Sequence, residues 1–92
     1  MTERPQFEIP RVVAKVISQK GMCDAEHKVG DEWVLTNKTP EGICMAAYHA
    51  MYPQLHFLLL GATMLFGDHD VATVACPDAQ SPVVFELRRI RK

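Results

Sequence analysis

Thr39-Pro40-Glu41-Gly42-Ile43-Cys44-Met45-Ala46-Ala47-Tyr48-His49-Ala50-Met51-Tyr52-Pro53 decides the fold, because here a two-residue alternation gives way to helical spacing. Threonine can accept from orphan amides, proline fits the first helical position, and a carboxylate in the first turn suits the dipole. The segment therefore predicts a helix from Pro40 to about Met51, with Ile43, Ala47, Ala50 and Met51 on one stripe. Pro53 lacks the N–H that would continue the ladder, so the reading places a break there and a second helix reaching about Leu65.

On the N-terminal side, Arg11 to Gln19 is rich in β-branched residues, with Val12, Ala14 and Val16 facing one way, and reads as a strand stopped by Gly21. Lys20 to Asp31 reads as a polar loop and Glu32 to Thr36 as a short strand that carries the only tryptophan and pairs with the first. On the C-terminal side, Val71 to Cys76 and Val83 to Ile90 read as strands joined by a loop from Pro77 to Pro82, an antiparallel hairpin. The predicted order is ββααββ. It describes an α+β domain in which an antiparallel sheet, flat or curled, is covered by a helical pair.

Composition bounds this picture. Ninety-two residues with 48% apolar and 23% charged side chains suit a single domain over residues 1–92, with 1–10 a loosely ordered N-terminal segment. A formal charge of −1 offers no general attraction to nucleic acid or anionic lipid. The polar start lacks the apolar run of a secretory signal, and the most apolar stretch, Leu55 to Gly67, falls short of the roughly twenty residues that span a bilayer. Three cysteines, an odd number, do not suit a closed disulfide framework, so the expectation is a cytoplasmic protein with reduced thiols and no membrane association.

Those cysteines carry the chemistry. Cys23 and His27 share the first loop, Cys44 lies near the start of the first predicted helix, and Cys76 closes a strand just before a proline. Each stands at the end of an element, where rigid structure can assemble a site. Three thiolates and an imidazole form a donor set for Zn(II), or for an iron–sulfur cluster held by three cysteines with His27 or an open position at the fourth iron. The chain has no C-x-x-C knuckle, and the plain alternative is that each cysteine is a small buried hydrophobe. A third reading pairs Cys44 or Cys23 with His27 or His49 as nucleophile and base.

The segments Lys15-Val16-Ile17-Ser18-Gln19-Lys20-Gly21-Met22-Cys23, His27-Lys28-Val29-Gly30-Asp31-Glu32, Thr39-Pro40-Glu41-Gly42-Ile43-Cys44, Tyr52-Pro53 and Val74-Ala75-Cys76-Pro77-Asp78, with Val83-Val84-Phe85-Glu86-Leu87, span nearly the whole chain. Together they resemble a family of small uncharacterised prokaryotic proteins of about this length. The family's pattern has a cysteine shortly before Gly-His-Lys-Val-Gly-Asp, another in Glu-Gly-Leu-Cys-Pro and a third in Ala-Cys-Pro-Asp. The resemblance thus points to Cys23, His27, Cys44 and Cys76, and to no particular reaction. This chain departs from the pattern at Glu26, before the histidine, and at Met45, after Cys44, where the family tends to have glycine and proline.

Other features have plainer readings. Cys76-Pro77 matches a dipeptide found at haem thiolates, with His49, His56 or His69 as a second axial ligand, but also simply ends a strand. Asp68-His69-Asp70 reads as a solvated turn, Met45 and His49 as part of a helix face, and Met22, Met45, Met51 and Met64 as core fillers or an oligomer surface. The cations Arg88, Arg89, Arg91 and Lys92 read as a solvated sheet edge. Two functions follow as expectations. One is a metal- or iron–sulfur-binding protein acting in storage, sensing, electron transfer or beside an enzyme. The other is a non-catalytic interaction module that forms a homo-oligomer or binds a protein partner, its cysteines merely structural.

Overall fold

The computed structural model describes residues 10–23, 25–36, 38–64 and 67–90; the expected N-terminal segment otherwise lies outside them. Four strands and one helix follow in the order β1 (Arg11–Gln19), β2 (Glu32–Leu35), α1 (Met45–Leu59), β3 (Val71–Ala75) and β4 (Val83–Ile90). The sheet is antiparallel throughout, in the order β2-β1-β4-β3. The expected ββααββ order with a helical pair is therefore corrected to ββαββ with a single helix on one face of the sheet.

Local conformation explains the correction at three places. Gly42 has φ 86°, which no helix tolerates, so Pro40 to Ile43 form a turn and the helix waits for Cys44 as its N-cap. Pro53 lies inside the helix without ending it. It is exposed, while the apolar ridge Ala47, Met51, Leu55 and Leu58 runs unbroken beneath it, so tertiary burial outweighs the missing hydrogen bond. The helix stops well before Leu65 because Gly61 turns left-handed (φ 90°). The N–H of Ala62 then bonds Phe57 O at 3.1 Å and that of Gly61 bonds Leu58 O at 3.2 Å, a Schellman ending.

The sheet face beneath the helix comes from the alternation of β1 and β4. Val12, Ala14 and Val16 are fully buried, as are Val83, Phe85 and Leu87, and the pairings Ala14↔Leu87 and Val16↔Phe85 place them side by side. Leu35 of β2 and Ala72 of β3 extend this face to both edges. The register shifts between Val16 and Ser18, a bulge just before β1 leaves the sheet.

Of the C-terminal cations, Arg91 and Lys92 lie outside the described residues, while Arg88 and Arg89 are not on a sheet edge, since β4 is a central strand. Arg89 is only 5% exposed. Its Nη1 donates to Leu58 O at 2.9 Å and Ala62 O at 2.6 Å, and its Nε and Nη2 reach Asp70 Oδ1 at 2.9 and 2.7 Å. It thus neutralises the carbonyl end of α1. Arg88 points to solvent, where its hydrogen bond to Glu86 and that residue's charge, with Asp68 adding to them, raise its guanidinium above the ordinary value.

Candidate metal centre

Strand order brings the candidate donors to one end of the sheet. Each neighbouring pair is antiparallel, so the last residues of β1 and β3 and the first of β2 and β4 lie at the same end. Cys23 follows β1, Cys76 follows β3 directly, and Cys44 opens α1. The three cysteines, all half-buried free thiols, line one cleft of about 210 Å³ together with Ala25, Ala46, Pro77, Asp78 and Ser81.

The loop carrying Cys23 is folded back against β1. Gly30 N donates to Val16 O and Val16 N to Asp31 O, both at 2.9 Å, while Asp31 closes its own turn by accepting from Lys28 N at 3.0 Å. Lys20 N donates to Pro82 O at 3.1 Å, tying the loop to the β3–β4 turn. Gly21 permits this approach, because its φ is 68° and a Cβ there would collide with Ser81 Oγ. Glu26 adopts φ 61° without being glycine, which presents the next residue, His27, to the interior.

His27 is 4% exposed. Its ring meets Trp33 edge-on with centroids 4.9 Å apart, and Phe85 at 6.0 Å. Nε2 accepts the backbone N–H of Cys44 at 3.0 Å, so that nitrogen carries the lone pair and the ring proton sits on Nδ1. The imidazole therefore braces the helix start that holds the Cys44 thiol. His27 lines a neighbouring open cleft of about 400 Å³ that it shares with Cys23. The structure thus places the three cysteines along one cleft and sets His27 against the backbone of Cys44.

Cys76 is held from both sides. Its N–H donates to Val83 O at 2.9 Å, and its Sγ accepts from Val83 N at 3.2 Å, a donor that suits negative charge on sulfur. Asp78 Oδ1 accepts from Gln80 N at 3.0 Å and Ser81 N at 3.1 Å, which shapes the turn that walls the cleft. Cys44 makes no side-chain cap, so its sulfur is not turned back on the amides of its own helix.

The remaining sequence candidates stand elsewhere. Asp68 and Asp70 pair with Arg88 and Arg89. His49 and His56 are exposed on α1, His56 sharing a 3.2 Å hydrogen bond with Tyr52, and neither they nor His69 line the Cys76 cleft. Among the described residues no three His, Cys, Asp or Glu side chains stand close enough to hold a single metal ion, and no helix is long and apolar enough to cross a membrane. Sequence reasoning did not anticipate Ser81 and Gly21 as the contact between the two loops, nor Trp33 and Phe85 as the wall behind His27. No known family model, curated protein or solved structure matches the chain.

Proposed function

We propose that this chain is a small metal-binding protein whose thiolates Cys23, Cys44 and Cys76 hold an iron–sulfur cluster, with His27 fixing the start of the helix behind it. The observation that carries the reading is that three cysteines, from three distant parts of the chain, line one cleft. Zinc is the other candidate for such donors. It would need every sulfur about 2.3 Å from one point, hence neighbouring sulfurs within about 4 Å of each other. Among the described residues no group of three such donors is placed to hold one metal ion, which weighs against zinc. A thiol nucleophile is less well supported, because the accepting nitrogen of His27 faces the Cys44 amide and not a sulfur. The role that suits such a centre is sensing, electron transfer or service to an enzyme.

Anaerobic purification, or reconstitution with ferrous iron and sulfide, tests this. The expected result is visible charge-transfer absorption with iron and sulfide in equal amounts, lost in Cys44→Ser and Cys76→Ser. Protein that stays colourless and also binds no zinc removes the reading. A homo-oligomeric module is the second reading, favoured by the apolar outer face of α1, where Met45, Tyr52, Phe57 and Leu60 are exposed. Light scattering that finds only monomer would dismiss it.

A further inference from the structure

We infer that β3 is the docking edge for a second copy of this chain, the two β3 strands pairing antiparallel about a two-fold axis at Thr73 so that the sheets become continuous; nothing in this rests on the thiols. Register shows where the polar groups of the strand point. Arg89 N donates to Asp70 O at 2.8 Å and Cys76 N to Val83 O at 2.9 Å, and both pairs continue the register that matches Ala72 to Leu87 and Val74 to Phe85. Ala72 and Val74 therefore exchange hydrogen bonds with β4, while Val71, Thr73 and Ala75 turn their N–H and C=O groups away from it. Val71 N is held by Asp68 O at 3.2 Å. Among the described residues nothing bonds the backbone of Thr73 or Ala75, and both residues are exposed. Edge strands ordinarily carry a charge, a proline or a bulge against such pairing. Val71-Ala72-Thr73-Val74-Ala75 has none of these, whereas the opposite edge, β2, is shorter and begins with the exposed Glu32.

A second copy fits this edge by shape. About an axis at Thr73, Val71 meets Ala75 of the other copy on the outer face and Ala72 meets Val74 on the helix face, so every valine has an alanine opposite it and no charges are opposed. Thr73 exchanges both its bonds with its own counterpart, and each Ala75 N–H reaches a Val71 carbonyl. The ladder ends where Val71 N is already taken by Asp68. α1 packs chiefly over β3 and lies away from β2, so the axis sets the two helices side by side above the joined edge. Tyr52 and Phe57 are exposed on opposite flanks of the buried ridge, which gives either flank an aromatic ring to bury against its neighbour. The two-fold arrangement also closes, whereas β3 of one copy on β2 of the next would extend without limit.

Sedimentation equilibrium of the full chain, with amide exchange followed by NMR from micromolar to millimolar concentration, tests the pairing. The expected result is a monomer–dimer equilibrium in which the amides of Thr73 and Ala75 gain protection as dimer forms, while those of Ala72 and Val74, bonded to β4, are protected throughout. Thr73→Pro removes an N–H that β4 does not use, and Thr73→Lys sets like charges face to face at the axis. Each should raise the dissociation constant by about 10–100-fold and leave the circular dichroism of the monomer unchanged. A dimer in which Thr73 and Ala75 exchange as fast as in the monomer docks by the outer face of α1, which overturns the inference but leaves a homo-oligomer standing. Protection of these amides in the dilute monomer means that the chain covers its own edge, and that also overturns it. A chain still monomeric at millimolar concentration overturns the inference and the homo-oligomeric module together. None of these outcomes bears on the metal reading.

Discussion

Replacing His27 by alanine in the metal-free protein should lower stability by about 3 kcal/mol. The half-buried N–H of Cys44 loses its partner, at a cost of about 1–3 kcal/mol. The edge-on contact with Trp33 contributes about 0.5–1.5 kcal/mol more, and the hole left beside Phe85 adds a cavity cost. A domain of this size has roughly 5–14 kcal/mol in all, and each kilocalorie moves the melting temperature by about 4–8 °C, so the expected fall is about 12–24 °C. His27→Gln retains an acceptor at the end of a side chain of similar reach and should recover roughly 1–2 kcal/mol of the loss. Thermal and urea denaturation followed by circular dichroism, with chelator present, supply the stabilities, and amide exchange at Cys44 reports the bond itself. A loss under 1 kcal/mol for the alanine variant, or a Cys44 amide that exchanges no faster in it, would refute the assignment of His27 as the brace of the helix start.

Arg89→Met should cost about 3–5 kcal/mol by urea denaturation, because it takes a buried charged donor from the carbonyls of Leu58 and Ala62 and the paired guanidinium from the carboxylate of Asp70. Met45→Pro should gain about 0.4–1 kcal/mol in the same assay. Met45 is the first helical residue and 85% exposed, and Cys44 before it already has the φ −60°, ψ 134° that a following proline demands. Glu26→Gly should gain about 0.5–1 kcal/mol, the relief of a left-handed backbone (φ 61°) exceeding the entropy cost of glycine.

How far the sequence speaks for itself differs from element to element. Alternation in Arg11–Gln19 and Val83–Ile90 locates two strands, because burial on one face writes a two-residue period into the chain. The helical pair fails for the converse reason. Thr39-Pro40-Glu41 is a sound start signal judged by residue type, but Gly42 adopts a positive φ that cancels it, and residue type alone does not announce that choice. Pro53 suggests a break, yet whether the ladder survives depends on the ridge Ala47, Met51, Leu55 and Leu58 finding a sheet to cover. Arg89 looks like its neighbours in a basic tail, and only the position of β4 inside the sheet makes it a buried clamp. The cysteines stand out by type, while their common cleft is a product of strand order and is not visible in their spacing.

The single helix clarifies how that cleft is held. α1 carries an interior proline and no side-chain cap at its first turn, so its own hydrogen bonds define it weakly at the end that matters. It is pinned instead by two polar side chains from the sheet and its loops. His27 holds the amide of Cys44 at one end, and Arg89 holds the carbonyls of Leu58 and Ala62 at the other. The two pins differ in kind. Arg89 works between the central strand and the helix, remote from the thiols, and belongs to the fold alone. His27 stands four residues after Cys23 and touches the backbone of Cys44, so one imidazole fixes two of the three sulfur-bearing segments relative to each other. The third is fixed by Val83, which grips Cys76 at both its N–H and its sulfur. A buried histidine at this point is thus explained by the fold alone: it orders two of the segments that carry the thiols.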